Sequence, residues 1–194
     1  MMRRYHIPVW ANAATWTAME SQVGKIDKSL VNIFDNDSSF EIGEIGVKPF
    51  SIPHDAADPV GYSFMCGDEK VAVATDIGEL KKDLFEAIRG SKTVLLESNH
   101  DVNMLEIGKY PPQLKRRIRG KLGHLSNDDA GRAAEFLVRL GTERIILGHL
   151  SEENNYPELA RQTVICVLND AGIKCGRDVL LGVALPQQTV SLCG

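Results

Sequence analysis

The sequence has no stretch approaching the roughly 20 apolar residues that a membrane-crossing helix requires. Apolar runs such as "VLLGVAL" at 179–185 fall far short. It has four cysteines, Cys66, Cys166, Cys175 and Cys193, and no CxxC pair among them. Nothing at the N-terminus has the charged, apolar and small-residue order of a secretory leader, so a reducing cytoplasm is the expected compartment. An excess of positive charge is also missing. The 22 lysines and arginines against 26 aspartates and glutamates leave a formal charge of −4. That balance argues against bulk polyanion binding while allowing a local basic patch. No internal repeat or low-complexity tract divides the 194 residues, and 43% hydrophobic content suits one domain with a substantial core.

What the chain does contain is alternation. Short β-branched or aromatic runs bounded by glycine, proline or charge predict strands at 46–52, 61–66, 70–75, 93–98, 144–149 and 178–184. "CGDEK" at 66–70 predicts a hairpin turn between two of them. Helices are predicted at 13–24, 79–90, 111–120, 126–141 and 156–172. Leu80, Leu84 and Ile88 recur at helical spacing, Ser126 is placed to cap, and Pro157 stands in a first turn. Strands and helices in near-equal number make this an α/β chain.

Three predicted strands end in groups that hold metals. "FSIPHDAADP" delivers His54, "VAVATDIG" delivers Asp76 and "IILGHLS" delivers His149. Strand ends in α/β proteins converge on one rim, and imidazole and carboxylate are donors that zinc, manganese or iron accept, with Asp76 able to bridge two ions. Singly, each has an ordinary explanation: a structural histidine, or a capping or turn carboxylate. Three such ends in a chain of five histidines favour the metal reading.

In these strings the chain resembles the metallo-β-lactamase superfamily. His54, Asp76 and His149 match its third, fourth and fifth ligand motifs. "PHDAADPVGY", "ATDIG", "LESNHDVNML", "GHLSNDDA" and "GHLSEENNYPELA" are similar, in order, to the WalJ or YycJ branch, hydrolases proposed to act on nucleic acid. The likeness runs from about residue 3 to about residue 173. A second resemblance is to ribonuclease Z, which implies that Glu97 holds and polarises His124 and that His124 protonates the departing alkoxide. A sugar alkoxide leaves poorly without a proton donor. Glu97 as a plain strand-end charge is the alternative.

Around these lie softer expectations. His100 is a substrate contact, a partner of a ligand, or a surface residue. Ser151, Asn154 and Asn155 either meet phosphate oxygens or cap the next helix. "KRRIRGK" gathers Lys115, Arg116, Arg117, Arg119 and Lys121, read as a patch for the phosphate backbone or as a solvated helix end.

The superfamily's HxHxDH motif is absent. The resemblance implies two divalent ions, zinc or manganese, for which the ligand set here is incomplete. Residues 1–194 are accordingly expected to be a single N-terminally truncated domain, the C-terminal two-thirds of an αββα sandwich. Such a chain is expected to expose strand edges and an apolar sheet face, and to pair with itself or with a complementing chain. The function that follows is a metal-dependent phosphodiesterase acting on DNA or RNA, impaired in this short form. The alternatives are a thioester or lactam hydrolase of the same fold, and a non-catalytic nucleic-acid-binding fragment.

Overall fold

A computed structural model describes residues 2–192; Cys193 lies outside the described residues. In chain order the elements are α1 (Met2–Tyr5), β1 (Val9–Asn12), α2 (Ala13–Val23), β2 (Val31–Phe34), β3 (Phe40–Ile42), β4 (Ile45–Ser51), β5 (Val60–Cys66) and β6 (Glu69–Ala74). They continue with α3 (Lys82–Ile88), β7 (Thr93–Glu97), α4 (Val102–Ile107), α5 (Pro112–Ile118), α6 (Asn127–Arg139), β8 (Arg144–Gly148), α7 (Pro157–Asp170) and β9 (Leu180–Val183).

Seven strands form one sheet in sequence order from β3 to β9. The stretch β3 to β6 is an antiparallel meander: tight turns join β3 to β4 and β5 to β6, where Gly67 adopts φ 55°, and a longer loop carrying His54 joins β4 to β5. From β6 to β9 the pairing is parallel, and the connections carry α3 to α7. Period-2 alternation puts Ala72, Ala74, Val94, Leu96, Ile145 and Leu147 on one face, each at most 1% exposed, against Leu84 and Ile88 of α3, Ala130, Ala134 and Leu137 of α6 and Val164 and Leu168 of α7. Small residues let α6 approach α7: a Cβ on Gly131 would stand 2.8 Å from the Val167 side chain. Ser126 caps α6 by accepting from Asp129 N, and Pro157 opens α7.

The opposite face is only partly covered. β1 and β2 pair in parallel as a separate two-stranded sheet, and Phe34 of β2 meets Tyr62 of β5 edge-on with ring centroids 6.1 Å apart. Helix α2 lies against this small sheet, Trp16 Nε1 donating to Asn32 O at 3.1 Å. Val71 remains 37% exposed on β6, and Phe64, Val73, Leu95 and Ile146 are half-buried. An αββα order with a short second sheet is therefore what the chain forms.

All six predicted strands and five predicted helices form, within three residues at each end. The sequence reading lacks α1, β1, β2, β3 and α4. The three missing strands are three or four residues long, and β1 finds its partner about 20 residues away, so no local alternation signals them. Helix α4 has a real cap, Asp101 accepting from Met104 N, inside a string read for its ligands. The predicted start of α3 at residue 79 moves to Lys82 because Gly78 N donates to Pro53 O, tying this loop to the one that carries His54.

Candidate metal centre

Because β4 and β6 both pair antiparallel with β5, and β6, β7 and β8 pair in parallel, the C-terminal ends of β4, β6, β7 and β8 share one rim. His54, Asp76, Glu97 and His149 follow or end these four strands. Asp76 and His149 both take left-handed backbone, φ 60° and 56°, a region that costs a non-glycine residue about 1–3 kcal/mol unless its surroundings impose it. For His149 the surroundings are visible: Asn99 Nδ2 donates to His149 O at 2.9 Å and Ser151 N donates to Asn99 O at 2.8 Å.

Glu97 is fully buried and accepts four hydrogen bonds. Oε1 accepts from His124 Nδ1 at 2.8 Å and His149 Nδ1 at 2.6 Å; Oε2 accepts from Ile77 N at 2.7 Å and Leu125 N at 3.2 Å. Burial pushes the carboxyl upward, but the bonds from His124, His149 and Ile77 outweigh it and leave Glu97 below its ordinary value. The bond to Glu97 lifts His149 above its ordinary value, against the effect of burial. His54 is anchored in the same way, its Nδ1 at 3.0 Å from Gly123 O. All three imidazoles are thus held through Nδ1, which leaves Nε2 as the free ring nitrogen on each. Metal-ligating histidines are commonly fixed in just this fashion, by a carboxylate or a carbonyl on the other nitrogen.

Asp76 joins them. Its Oδ1 lies 3.6 Å from His54 Nε2, 3.6 Å from His149 Nδ1 and 3.7 Å from His124 Nδ1, all longer than a hydrogen bond. Ligand atoms of Asp76, Glu97, His124 and His149 lie within 4.8 Å of one another. His54, Asp76 and His149, distant in sequence, are therefore gathered, and His124 with Glu97 stands beside them. The imidazole and carboxylate donors gathered here are of the kind that a divalent cation accepts. Glu97 is the exception within the cluster, since its oxygens already accept four bonds.

The centre opens into a cleft of about 560 Å³ lined by His54, Asp76, His124 and His149 together with Tyr110, Arg117, Ser151, Glu152 and Glu153. Ser151 lies in the lining of this cleft. Asn154 and Asn155 are both buried; Asn155 Nδ2 donates to Ser98 O, Asn99 O and Asn127 Oδ1 while its Oδ1 accepts from Tyr156 N at the start of α7, so this side chain braces the rim from behind. His100 is 2% exposed, which corrects the surface alternative, and burial lowers its imidazole below the ordinary value.

The basic segment is likewise rearranged. Lys115 Nζ donates to Glu106 O, Arg119 pairs with Glu106 at 2.7 Å, Lys121 with Glu79 at 3.3 Å, and Arg117 with Asp55. Among the described residues only Arg116 of the five has no such tether. A continuous free basic patch is therefore not what α5 presents, and Arg117 alone of the five lines the cleft. Sequence reasoning missed Asp55, Asn99 and Asn127. The signal for Asn99 was the polar run "ESNHD" following an apolar strand, and for Asn127 the polar run "SNDD" that opens α6; Asp55 was visible only as the neighbour of His54.

Comparison with known proteins matches this geometry. Residues 1–150 match the family model of the beta-lactamase superfamily domain. Exodeoxyribonuclease YycJ of Bacillus anthracis is 40% identical over 176 residues, covering 91% of this chain and 67% of the relative. Exodeoxyribonuclease WalJ of Streptococcus pneumoniae serotype 2 is 38% identical over 180 residues, covering 92% and 67%. The chain thus spans about two thirds of these relatives' length. The crystal structure of the metallo-beta-lactamase fold protein YhfI from Bacillus subtilis superposes with a TM-score of 0.60 at 13% identity, covering 91% of this chain and 60% of that one. That likeness concerns the fold alone. From the family match, the two relatives and the shared architecture, the chain belongs to the metallo-β-lactamase superfamily, as a protein of the WalJ/YycJ type.

Proposed function

We propose that this chain carries the metal-binding rim of a divalent-metal-dependent nuclease that hydrolyses phosphodiester bonds in DNA. The observation that carries the reading is the gathering of His54, His124 and His149 at one rim, each with a ring nitrogen 3.6–3.7 Å from Asp76 Oδ1. The relatives named exodeoxyribonuclease supply the substrate class.

In this reading His54, Asp76 and His149 hold the ion. When bound there, a divalent ion would supply Lewis acidity toward a phosphoryl oxygen and toward water. His124 is left for proton transfer. Glu97 fixes its Nδ1, so Nε2 is the atom that hands a proton to the leaving sugar oxygen. Glu97 itself is a positioning residue, and it orients His149 through the same oxygen. Three protein ligands suit one ion, since zinc sites take three or four apiece, and a second ion needs ligands beyond this set.

The test is release of nucleotides from end-labelled DNA with added Mn²⁺ or Zn²⁺. It is run on this chain and on the chain joined to an HxHxDH-bearing N-terminal segment. Metal-dependent degradation, stronger in the joined protein and lost with chelator or with Asp76→Ala, is the expected result. Hydrolysis of a thioester or lactam with DNA left intact would overturn the proposal.

A further inference from the structure

Arg117 is the one lysine or arginine among the residues that line the cleft, in company with Asp76, Glu152 and Glu153. Its guanidinium is engaged: Nε and Nη2 both donate to the Asp55 carboxylate, to Oδ2 at 2.5 Å and to Oδ1 at 2.8 Å. The same Asp55 Oδ1 lies 3.4 Å from His54 Nε2, the free ring nitrogen of a candidate metal ligand. An anionic oxygen pair is therefore seated between the fork of Arg117 and the metal rim. The planar fork that accepts a carboxylate in this way accepts two phosphate oxygens equally well.

We propose that Arg117 is the phosphate-binding residue of the cleft and that Asp55 is its built-in competitor, a carboxylate that a substrate phosphate displaces. This inference rests on the nuclease reading and names the subsite within it. The exchange is physically easy, because the Arg117 and Asp55 side chains are 52% and 32% exposed and such pairs are held weakly. It also adds selectivity. A lone small anion must displace Asp55 by itself, whereas a strand brings further phosphates to other contacts and gains from each. In a cleft that Asp76, Glu152 and Glu153 also line, Arg117 thus presents its charge chiefly to a polyanion.

The experiment is a double-mutant cycle read by fluorescence anisotropy of a labelled single-stranded oligodeoxynucleotide, across a salt series with chelator present, so that neither metal nor turnover enters. Asp55→Asn is expected to tighten binding about two- to fivefold, the range of an exposed ion pair. It is also expected to steepen the logarithmic salt slope by about 0.7, one phosphate contact on a single strand. In the Arg117→Ala background Asp55→Asn should change neither, and Arg117→Lys should keep much of the slope while losing tightness, because the ammonium lacks the fork. Equal tightening by Asp55→Asn with and without Arg117 would show a general charge effect and overturn the proposal, leaving the nuclease reading intact. Weaker or unchanged binding of Asp55→Asn would overturn it too. Absence of oligonucleotide binding by every protein at low salt would overturn both.

Discussion

Glu97 and Asp55 are two carboxylates on one rim, each within reach of a cleft histidine, and their surroundings give them opposite characters. Glu97 is sealed and accepts four hydrogen bonds from three segments of chain. Asp55 is partly exposed, with one guanidinium as its partner and an imidazole at longer range. A buried carboxylate with every lone pair engaged fixes geometry, because any rearrangement strands a charge or an amide away from water. An exposed one in a single ion pair contributes little to stability and exchanges readily. The rim therefore combines a rigid knot, which orients His124 and His149, with a loose latch beside His54.

The largest effect that would separate the two is on stability. Glu97→Ala should cost about 3–5 kcal/mol, because it removes the charged acceptor and strands the buried Ile77 and Leu125 amides. In a chain of this size that lowers the melting temperature by roughly 10 °C, read by thermal unfolding. A loss near that of Asp55→Asn would erase the distinction. Gly123→Ala comes next. Its Cβ would stand 2.1 Å from Ile118 O and 2.3 Å from Arg117 O, so the loop bearing His124 and the carbonyl that anchors His54 must shift. The expected cost is about 1–3 kcal/mol, together with a roughly 10–100-fold loss of metal affinity, as when outer partners of ligands are removed; both are read by unfolding and by titration.

The pH dependence sharpens the same contrast. Glu97 lies below its ordinary value of 4.5, so its contribution is present above 4.5 and is lost as pH falls through the folded value. His149 lies above its ordinary 6.5, so its contribution is present below 6.5 and is lost as pH rises through the folded value. The stability difference between metal-free wild type and Glu97→Gln should therefore be greatest between 4.5 and 6.5, checked by urea unfolding at stepped pH. The smallest effect is that of Asp55→Asn on stability, a melting shift of no more than about 2 °C.

The sequence revealed His54, Asp76 and His149 because each follows an apolar strand, and strand direction alone brings such ends to one rim. It did not reveal that a single oxygen of Glu97 holds two histidines, since the second partner, His149, is 52 residues away and is chosen by packing. The ion pairs of the basic segment were hidden for a related reason: five cations in seven residues look free until Asp55, Glu79 and Glu106 approach from elsewhere in the chain. Likewise Asn154 and Asn155, polar residues after a strand, left phosphate contact and helix capping both open. The buried amide cluster with Ser98 and Asn127 that claims Asn155 is assembled only in three dimensions.

Calorimetric titration of the chain with Zn²⁺ or Mn²⁺, for wild type beside Asp76→Ala and His149→Ala, tests most directly whether these strand ends form a metal centre. Binding of one ion per chain that disappears in both variants is the predicted result. Affinity unchanged by either substitution would contradict the account.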